Sequence, residues 1–431
     1  MINLREVCDA LGVPPPAAGD RPVRRFVLDS REAGEHDLFF ALPGGETHGG
    51  RFAAGAEDRG AVAVVPPESA AAGRVVVPDP AAALRRAGEL KRSRFGGAVV
   101  AVTGSVGKTT TRRLIAAVLS AAGRTVQSPR NFNNRLGVPV TLGLLDEGRR
   151  FAVVEVASSA PGEVADLASL VRPDVGVVTT VAAAHLDGLR TIEGVRREKW
   201  SLADAVAPNG PLYSADCPPA WVTRRCEVVV PRDVSTDGTA TRFRLGDANL
   251  SVGLPGIHHA AGAALAYAVG RHFGVPIDDI RDALASVRSE PGRCHAFDVG
   301  GVRVIDDAYN SSPAAVAAAL DLLVATPAKR RFAVLGDMLG LGDSAGDLHR
   351  DLAASVPAEV NAVFTVGPLA GLIADCVGDR GRRFADKESL TAELGRMLRP
   401  GDAVLVKGSR ATRMERVVAA ISQQRARSVS E

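Results

Sequence analysis

Residues 98–113 read Ala-Val-Val-Ala-Val-Thr-Gly-Ser-Val-Gly-Lys-Thr-Thr-Thr-Arg-Arg, and the rest of the chain is read outward from them. The apolar run Ala98–Val102 predicts a buried strand. It stops at a glycine turn, Gly104 to Thr109, and Leu114, Ile115, Val118 and Leu119 then recur at helical spacing. A phosphate cradle needs this order. Gly104 and Gly107 let the backbone fold tightly, so that N–H groups of Ser105, Val106 and their neighbours converge on one anion. The following helix adds its positive end. Lys108 can reach terminal phosphates, and the Thr109 hydroxyl, followed by Thr110, can ligate Mg²⁺. Counted from Gly104, the loop is one residue pair shorter than the usual Gly-x-x-x-x-Gly-Lys-[Ser/Thr] pattern. A plain strand-to-helix turn would require neither the lysine nor the threonines. A nucleoside triphosphate is therefore expected here.

The chain has 431 residues, enough for about three domains of about 150 residues. Its net charge of +3 is spread without a long basic block, which argues against nucleic acid or a membrane surface as partner. No run of about 18 apolar residues is present and the N-terminus lacks signal-peptide order, so no integral membrane contact is expected. Cys8, Cys217, Cys226, Cys294 and Cys376 are scattered and never in C-x-x-C spacing, as for reduced thiols in a cytoplasmic protein. Only six of the 52 cationic residues are lysines. A chain that uses arginine wherever a surface cation suffices keeps lysine for tasks needing a compact or deprotonatable amine, and Lys108, Lys199 and Lys407 all fall in suggestive segments.

The expected fold class is α/β in three domains: a small N-terminal α/β module (1–94), a central P-loop doubly wound, mostly parallel sheet (95–290), and a C-terminal Rossmann-like α/β domain (291–431). In the first, Phe26–Arg31 runs from strand into turn, a second strand covers 37–42, and the polar loop Gly44–Gly50 precedes a helix from about Arg51. In the second, strands Phe151–Val154 and Val175–Thr179 lead to Glu155 and to a small-residue loop ending at His185. Ligands in such sheets bind at the carboxyl ends of the strands, so the glycine turn, Glu155 and His185 would share one rim. Singly, such a glutamate is usually a solvated cap and such a histidine usually structural. In the third, four strand-like runs alternate with helices. Ser312-Pro313 is read as an N-cap followed by proline at the first helical position, opening a helix to about Ala325. Pro291-Gly292 marks a hinge, and the polar tail from Gln423 is read as frayed.

With these residues placed, the whole chain resembles the Mur ligases, the ATP-dependent amide-bond-forming enzymes of peptidoglycan synthesis. The resemblance rests on Thr103–Thr110, Asn131–Pro139, Ala184–Gly188, Glu198–Trp200, Pro291–Arg293, Asp307–Pro313, Leu335–Leu339 and Lys407–Arg410. The Phe-Asn-Asn, Asp-x-Tyr-Asn and Gly-Asp-Met-Leu segments resemble the branch that joins D-alanyl-D-alanine to UDP-N-acetylmuramoyl-tripeptide. The Asp-Asn-Pro-Arg signature of the diaminopimelate-adding branch is absent.

The resemblance implies a cytoplasmic, monomeric ligase that forms an acyl phosphate with ATP and two Mg²⁺ ions. It implies Thr109 and Glu155 as ligands of one ion, His185 of the other, and Lys199 as a CO₂-derived carbamate, the catalytic set being Lys108, Glu155, His185 and Lys199. ATP would be met by residues 104–110, His259, Arg293, Asp307 and Asn310. The UDP-substrate would be met by Ser30, Arg31, Gly45, His48, Asn133 and Asn134, and the incoming amine by Lys407. Departures from the family pattern are Val106 in the loop, Val156-Ala157 after Glu155, Ser312, Gly340, and Gly256–Gly262, where His259 stands in the place of an adenine-reading asparagine. A Mur-type ligase for another acid and amine, or a P-loop regulatory ATPase, remain alternatives.

Overall fold

The computed structural model describes residues 2–17, 20–44 and 48–430, with side chains through 426. Gly45 lies outside the described residues. Four sheets organise the chain. The N-terminal sheet is β1 (Arg25–Val27), β2 (Asp37–Phe40), β3 (Val62–Val65) and β4 (Val75–Val76), all parallel and in that order. Helices Leu4–Leu11 and Pro80–Arg94 cover one face through Leu4, Val7, Leu84 and Ala87. The helix expected from Arg51 is a 3₁₀ turn, Gly49–Phe52, followed by only Ala53–Glu57.

The central sheet contains β5 (Ala98–Thr103), β6 (Thr125–Gln127), β7 (Phe151–Glu155), β8 (Val175–Val178), β9 (Leu212–Ser214) and β10 (Cys226–Val228). Their order is 10-9-8-5-7-6, all parallel. The apolar run of β5 is buried on both faces. Val100 and Val102 pack with Leu114, Ile115 and Leu265 on one side, and Val99 and Ala101 with Leu167, Val138 and Trp200 on the other. Since strand residues alternate faces, five consecutive apolar residues require helices on both sides, and they are there.

One part of the region 95–290 departs from a parallel α/β pattern. Strands β11 (Arg232–Thr236), β12 (Thr241–Leu245) and β13 (Ala248–Val252) form a separate antiparallel meander. Alternation in Thr241-Arg-Phe-Arg-Leu points Phe243 inward, where it joins Leu250 and the helix His259–His272 in the core. In the C-terminal sheet, β14 (His295–Val299), β15 (Val302–Asp307), β16 (Arg330–Gly336), β17 (Ala362–Val366), β18 (Gly381–Phe384) and β19 (Asp402–Lys407) lie in the order 14-15-19-16-17-18. Only β14 runs antiparallel.

The helix Pro313–Ala325 starts and ends where expected, with proline in its first turn, but the Ser312 side chain makes no capping hydrogen bond. The tail is not frayed at Gln423. A helix runs Glu415–Ser430, and Arg425 is buried and donates to the carbonyls of Gly395 and Leu398. Met414, Val417, Val418 and Ile421 give that helix an apolar face on the sheet, and the Arg425 stem extends it.

The meander is part of the central core, so Leu250→Ala should destabilise that domain by about 2–5 kcal/mol. A thermal or urea midpoint indistinguishable from the parent protein would show the meander to be an appendage.

Candidate active site

A cavity of about 660 Å³ opens between the central and C-terminal sheets, at the carboxyl ends of β5, β7 and β15. The glycine turn forms one wall. Gly104 has φ 139° and so little room that a Cβ would lie 2.0 Å from Thr179 Oγ1; Gly107 has φ 85°. Both conformations favour glycine. The Thr179 hydroxyl donates to the Val106 carbonyl (2.7 Å), while the N–H groups of Ser105 and Val106 donate to the Thr180 carbonyl. Loop N–H donors free for an anion are therefore to be sought further on. Gly107, Lys108, Thr109 and Thr110 line the cavity where the helix Lys108–Ser120 begins, and first-turn N–H groups have no partner within a helix. The Lys108 ammonium donates to the carbonyls of Gly104 (2.7 Å) and Ser105 (3.0 Å). Desolvation lowers its pKa, Glu155 opposes that shift, and Arg293 reinforces it.

Glu155, at the end of β7, is 1% exposed. Its Oε1 accepts from Thr109 Oγ1 (3.1 Å) and Asn133 Nδ2 (2.8 Å). Its Oε2 is buried without a hydrogen bond. Arg112 Nε lies 3.3 Å away as an ion contact but is not aligned to donate. Arg112 sits one helical turn beyond Lys108, a spacing that could have signalled its approach to the same carboxylate.

His185 lines the cavity in the left-handed conformation, φ 55°. Burial, then Lys108 and Lys199, push its pKa down, so the ring is held neutral. Lys199, on the helix Ile192–Trp200, is completely buried. Its ammonium donates to Ser158 Oγ (2.6 Å) and the Ser158 carbonyl (3.2 Å), and Ser158 lines the cavity. Burial first, and Lys108 second, lower the Lys199 pKa to about 7. Its neighbour Glu198 accepts from the N–H groups of Gly162 (2.6 Å) and Val164 (2.7 Å), fixing this helix against the start of Glu163–Val171. Ser158 carried no sequence signal, being a serine among small residues.

The C-terminal sheet supplies the opposite wall. Arg293 stacks over Tyr309, with Cζ 4.0 Å from the ring centre. Asp307 forms a buried ion pair with Lys407, which also donates to the Asn310 carbonyl (2.9 Å). Lys407 is thus 3% exposed and held by its own domain, so its direct role toward an incoming substrate narrows to the face lining the cavity. At the expected hinge, Gly292 is bonded within the C-terminal domain: its N–H donates to Asp306 (2.8 Å), and Tyr309 N–H donates to the Gly292 carbonyl (3.0 Å). Arg113, from the helix after the glycine turn, pairs with Glu290 (3.0 Å). His259 opens the helix His259–His272, buried beside His258 and Cys294 on the same cavity.

Asn133 and Asn134 reach this cavity, whereas Ser30, Arg31 and His48 do not line it. Arg31 pairs with Asp29 (2.6 Å) on the N-terminal domain, and the His48 ring accepts from Gly50 N–H (3.3 Å). A bridge between domains runs from Glu32 to Arg130 (2.8 Å). Asp337 of the Gly-Asp-Met-Leu segment accepts from the N–H groups of Leu369 and Ala370, a structural task.

The buried amine carries a stability signature. An unfolded lysine titrates near 10.4, and the folded pKa lies below it at about 7. Between these values the unfolded chain binds more protons, so stability rises with pH across that window, and the penalty is complete below it. In CO₂-free buffer near pH 7, Lys199→Met should therefore be more stable than the parent by roughly 1–4 kcal/mol, with the gain shrinking toward pH 10. A gain independent of pH would assign it to packing.

Residues 23–94, 102–225 and 292–410 match, respectively, the "Mur ligase family, catalytic domain", the "Mur ligase middle domain" and the "Mur ligase, glutamate ligase domain". The chain is 31% identical over 424 residues to a UDP-N-acetylmuramoyl-tripeptide–D-alanyl-D-alanine ligase of Bacillus subtilis, covering 92% of each. Among solved structures it is similar to a MurF from Acinetobacter baumannii (TM-score 0.88, 25% identity, covering 97% of this chain and 98% of that one). It is also similar to a MurF ligase from Thermotoga maritima in complex with ADP (TM-score 0.82, 28% identity, 94% and 99%). A lysine-bearing glycine turn, a buried strand-end glutamate and a desolvated lysine at one cavity thus occur in a chain that belongs to the Mur ligase family.

Proposed function

We propose that this protein is an ATP-dependent ligase that joins D-alanyl-D-alanine to UDP-N-acetylmuramoyl-tripeptide, giving the pentapeptide precursor, ADP and phosphate. The observation that carries this reading is the convergence of Lys108, Thr109, Glu155 and His185 on one cavity, with the buried Lys199 behind Ser158. Full-length similarity to ligases named for this reaction supports the choice of substrates.

A carboxylate is a poor electrophile. In the first step, a terminal carboxylate oxygen of the tripeptide attacks the γ-phosphorus and ADP departs, leaving an acyl phosphate. In the second, the amine of D-alanyl-D-alanine attacks the acyl carbon. The tetrahedral intermediate then expels phosphate, and the amine loses a proton. Negative charge concentrates in both steps. Lys108, the first-turn N–H groups of its helix and Arg293 are placed to neutralise it. His259, Asp307 and Asn310 line the same cavity and are assigned to the nucleotide. Closing the two walls over the reactants would keep water from the acyl phosphate.

The residues fit Mg²⁺. Glu155 Oε2 is a buried carboxylate oxygen with no hydrogen bond, and Thr109 Oγ1 adjoins the same carboxylate. Thr109 and Glu155 would hold one ion and His185 the second, supplying further charge stabilisation when bound. A lysine whose pKa falls to about 7 is substantially neutral near physiological pH, the form that adds CO₂, and the resulting carbamate of Lys199 would be an oxygen ligand for the second ion. Asn133 and Asn134 are assigned to the peptide-bearing substrate. Ser30, Arg31, Gly45 and His48 are assigned to its uridine diphosphate end, outside the main cavity. The five unpaired thiols suit a cytoplasmic protein. Among the described residues no helix is long and apolar enough to cross a membrane, and the reading is of a monomer.

Purified protein with ATP and Mg²⁺ should yield a product of the mass of UDP-N-acetylmuramoyl-pentapeptide only when tripeptide and D-alanyl-D-alanine are both present. Product from a different acid or amine, but not this pair, would reassign the substrates. Lys199→Ala should lose about 10²–10³ in kcat and recover part of it with added short carboxylic acids. Full activity in that variant would remove the carbamate from the mechanism.

A further inference from the structure

Three side chains on the cavity wall do not take part in the phosphate and metal chemistry above. His258 immediately precedes the helix that opens with His259, and Cys294 lies just past the hinge glycine on the C-terminal side. Cys294 is 5% exposed and adopts φ 49°. The backbone there is held in place because Cys294 N–H donates to Asp307 Oδ1 (3.1 Å).

The two imidazole rings are 4.0 Å apart between centres and tilted, and His258 Nε2 lies 3.6 Å from Cys294 Sγ. One donor atom from each residue falls within 4.8 Å of the other two. His258 Nδ1 and His259 Nε2 are buried with no hydrogen-bond partner. Buried polar atoms without partners are rare and need a reason. Adenine recognition by His259 would explain one ring nitrogen, but not the second histidine.

We infer that His258, His259 and Cys294 form a site for a divalent transition metal of the zinc class, bridging the central and C-terminal domains. With bonds of about 2.0 Å to nitrogen and 2.3 Å to sulfur, tetrahedral ligands stand about 3.5 Å apart, so closing the observed cluster needs only small side-chain rotations. Two imidazoles and a thiolate leave the fourth position open toward the cavity. Mg²⁺ would not compete, because it selects oxygen donors. On binding, the Cys294 S–H proton passes to the buffer as the sulfur–metal bond forms, with no change of oxidation state. An ion here would tie the two domains through side chains from both sides of the hinge, and would share the cavity with the nucleotide.

Titration of the chelator-treated, full-length protein with Co²⁺, in excess Mg²⁺ and without nucleotide, tests this independently of ligation. The expected result is a thiolate-to-cobalt charge-transfer absorption saturating at one ion per chain and displaced by Zn²⁺. Cys294→Ser should abolish the band, whereas Cys226→Ser and Cys376→Ser should keep it. His258→Gln and His259→Gln, which retain the thiol, should each weaken binding at least about tenfold, so the outcome does not depend on the folding of one variant. Absence of the band, its survival in Cys294→Ser, or unchanged affinity in both histidine variants would overturn the site. Failure of any of these leaves the ligase reading untouched, since no catalytic turnover is measured.

Discussion

The organising constraint is a surplus of positive charge held out of water. Burial lowers the pKa of Lys108, Arg112 and Lys199 around the cavity, Glu155 is a counter-charge to the first two, and Lys108 adds to the shift of Lys199. Removing a charge from water costs several kcal/mol unless a partner repays it, and one carboxylate shared by Lys108 and Arg112 does not satisfy both. A triphosphate can. The fold bears this cost by surrounding the site with strands buried on both faces, whose carboxyl ends open onto the cavity. Burial first, and Lys108 second, drive Lys199 toward its neutral form.

Geometry confines that arrangement to a few places. Gly104 must be glycine because Thr179 occupies the space of a Cβ, and Thr179 in turn anchors the Val106 carbonyl. The hinge is restrained from two sides. Arg113 and Glu290 tie it to the helix that carries Lys108, and Gly292 is fixed to Asp306 of β15. A second contact lies on the His185 side, where Leu186 N–H donates to the Gly340 carbonyl at 2.7 Å. Gly340 adopts φ 76°, and its backbone supplies this contact to the other domain.

The parts legible in the sequence were those where one local pattern has one physical solution. A five-residue apolar run ending in Gly-x-x-Gly-Lys-Thr fixes strand, turn and helix together, and Glu155 and His185 follow from strand ends in a parallel sheet. The meander at 232–252 was missed although Thr241–Leu245 alternates with period two, because the surrounding βα rhythm suggested another parallel unit. The tail misled for a different reason: Gln423, Gln424 and Arg425 look solvated, yet Met414, Val417 and Ile421 commit that helix to the sheet and carry Arg425 inward. Ser158 and Tyr309 were illegible as site residues because their roles come from partners distant in sequence.

The scarcity of lysine was the most informative feature of composition, and the structure gives its physical basis. Lys91, Lys199 and Lys407 are 3%, 0% and 3% exposed, so three of the six are held away from bulk water, and a fourth, Lys108, lines the cavity. Lys91 had drawn no attention. Its ammonium donates to the carbonyls of Val23 (3.1 Å), Arg24 (3.2 Å) and Leu145 (3.3 Å), joining the N-terminal domain to the central one, and burial lowers its pKa to about 8. Three carbonyls converging on one point suit a compact ammonium with three donors, whereas a planar guanidinium would present its donors in a fixed fork. In a chain that otherwise uses arginine, lysine persists where the receiving groups converge on a point: carbonyls at Lys91 and in the glycine turn, Ser158 at Lys199, and a carboxylate with a carbonyl at Lys407. The same compactness that lets these amines be buried makes one of them available to lose its proton.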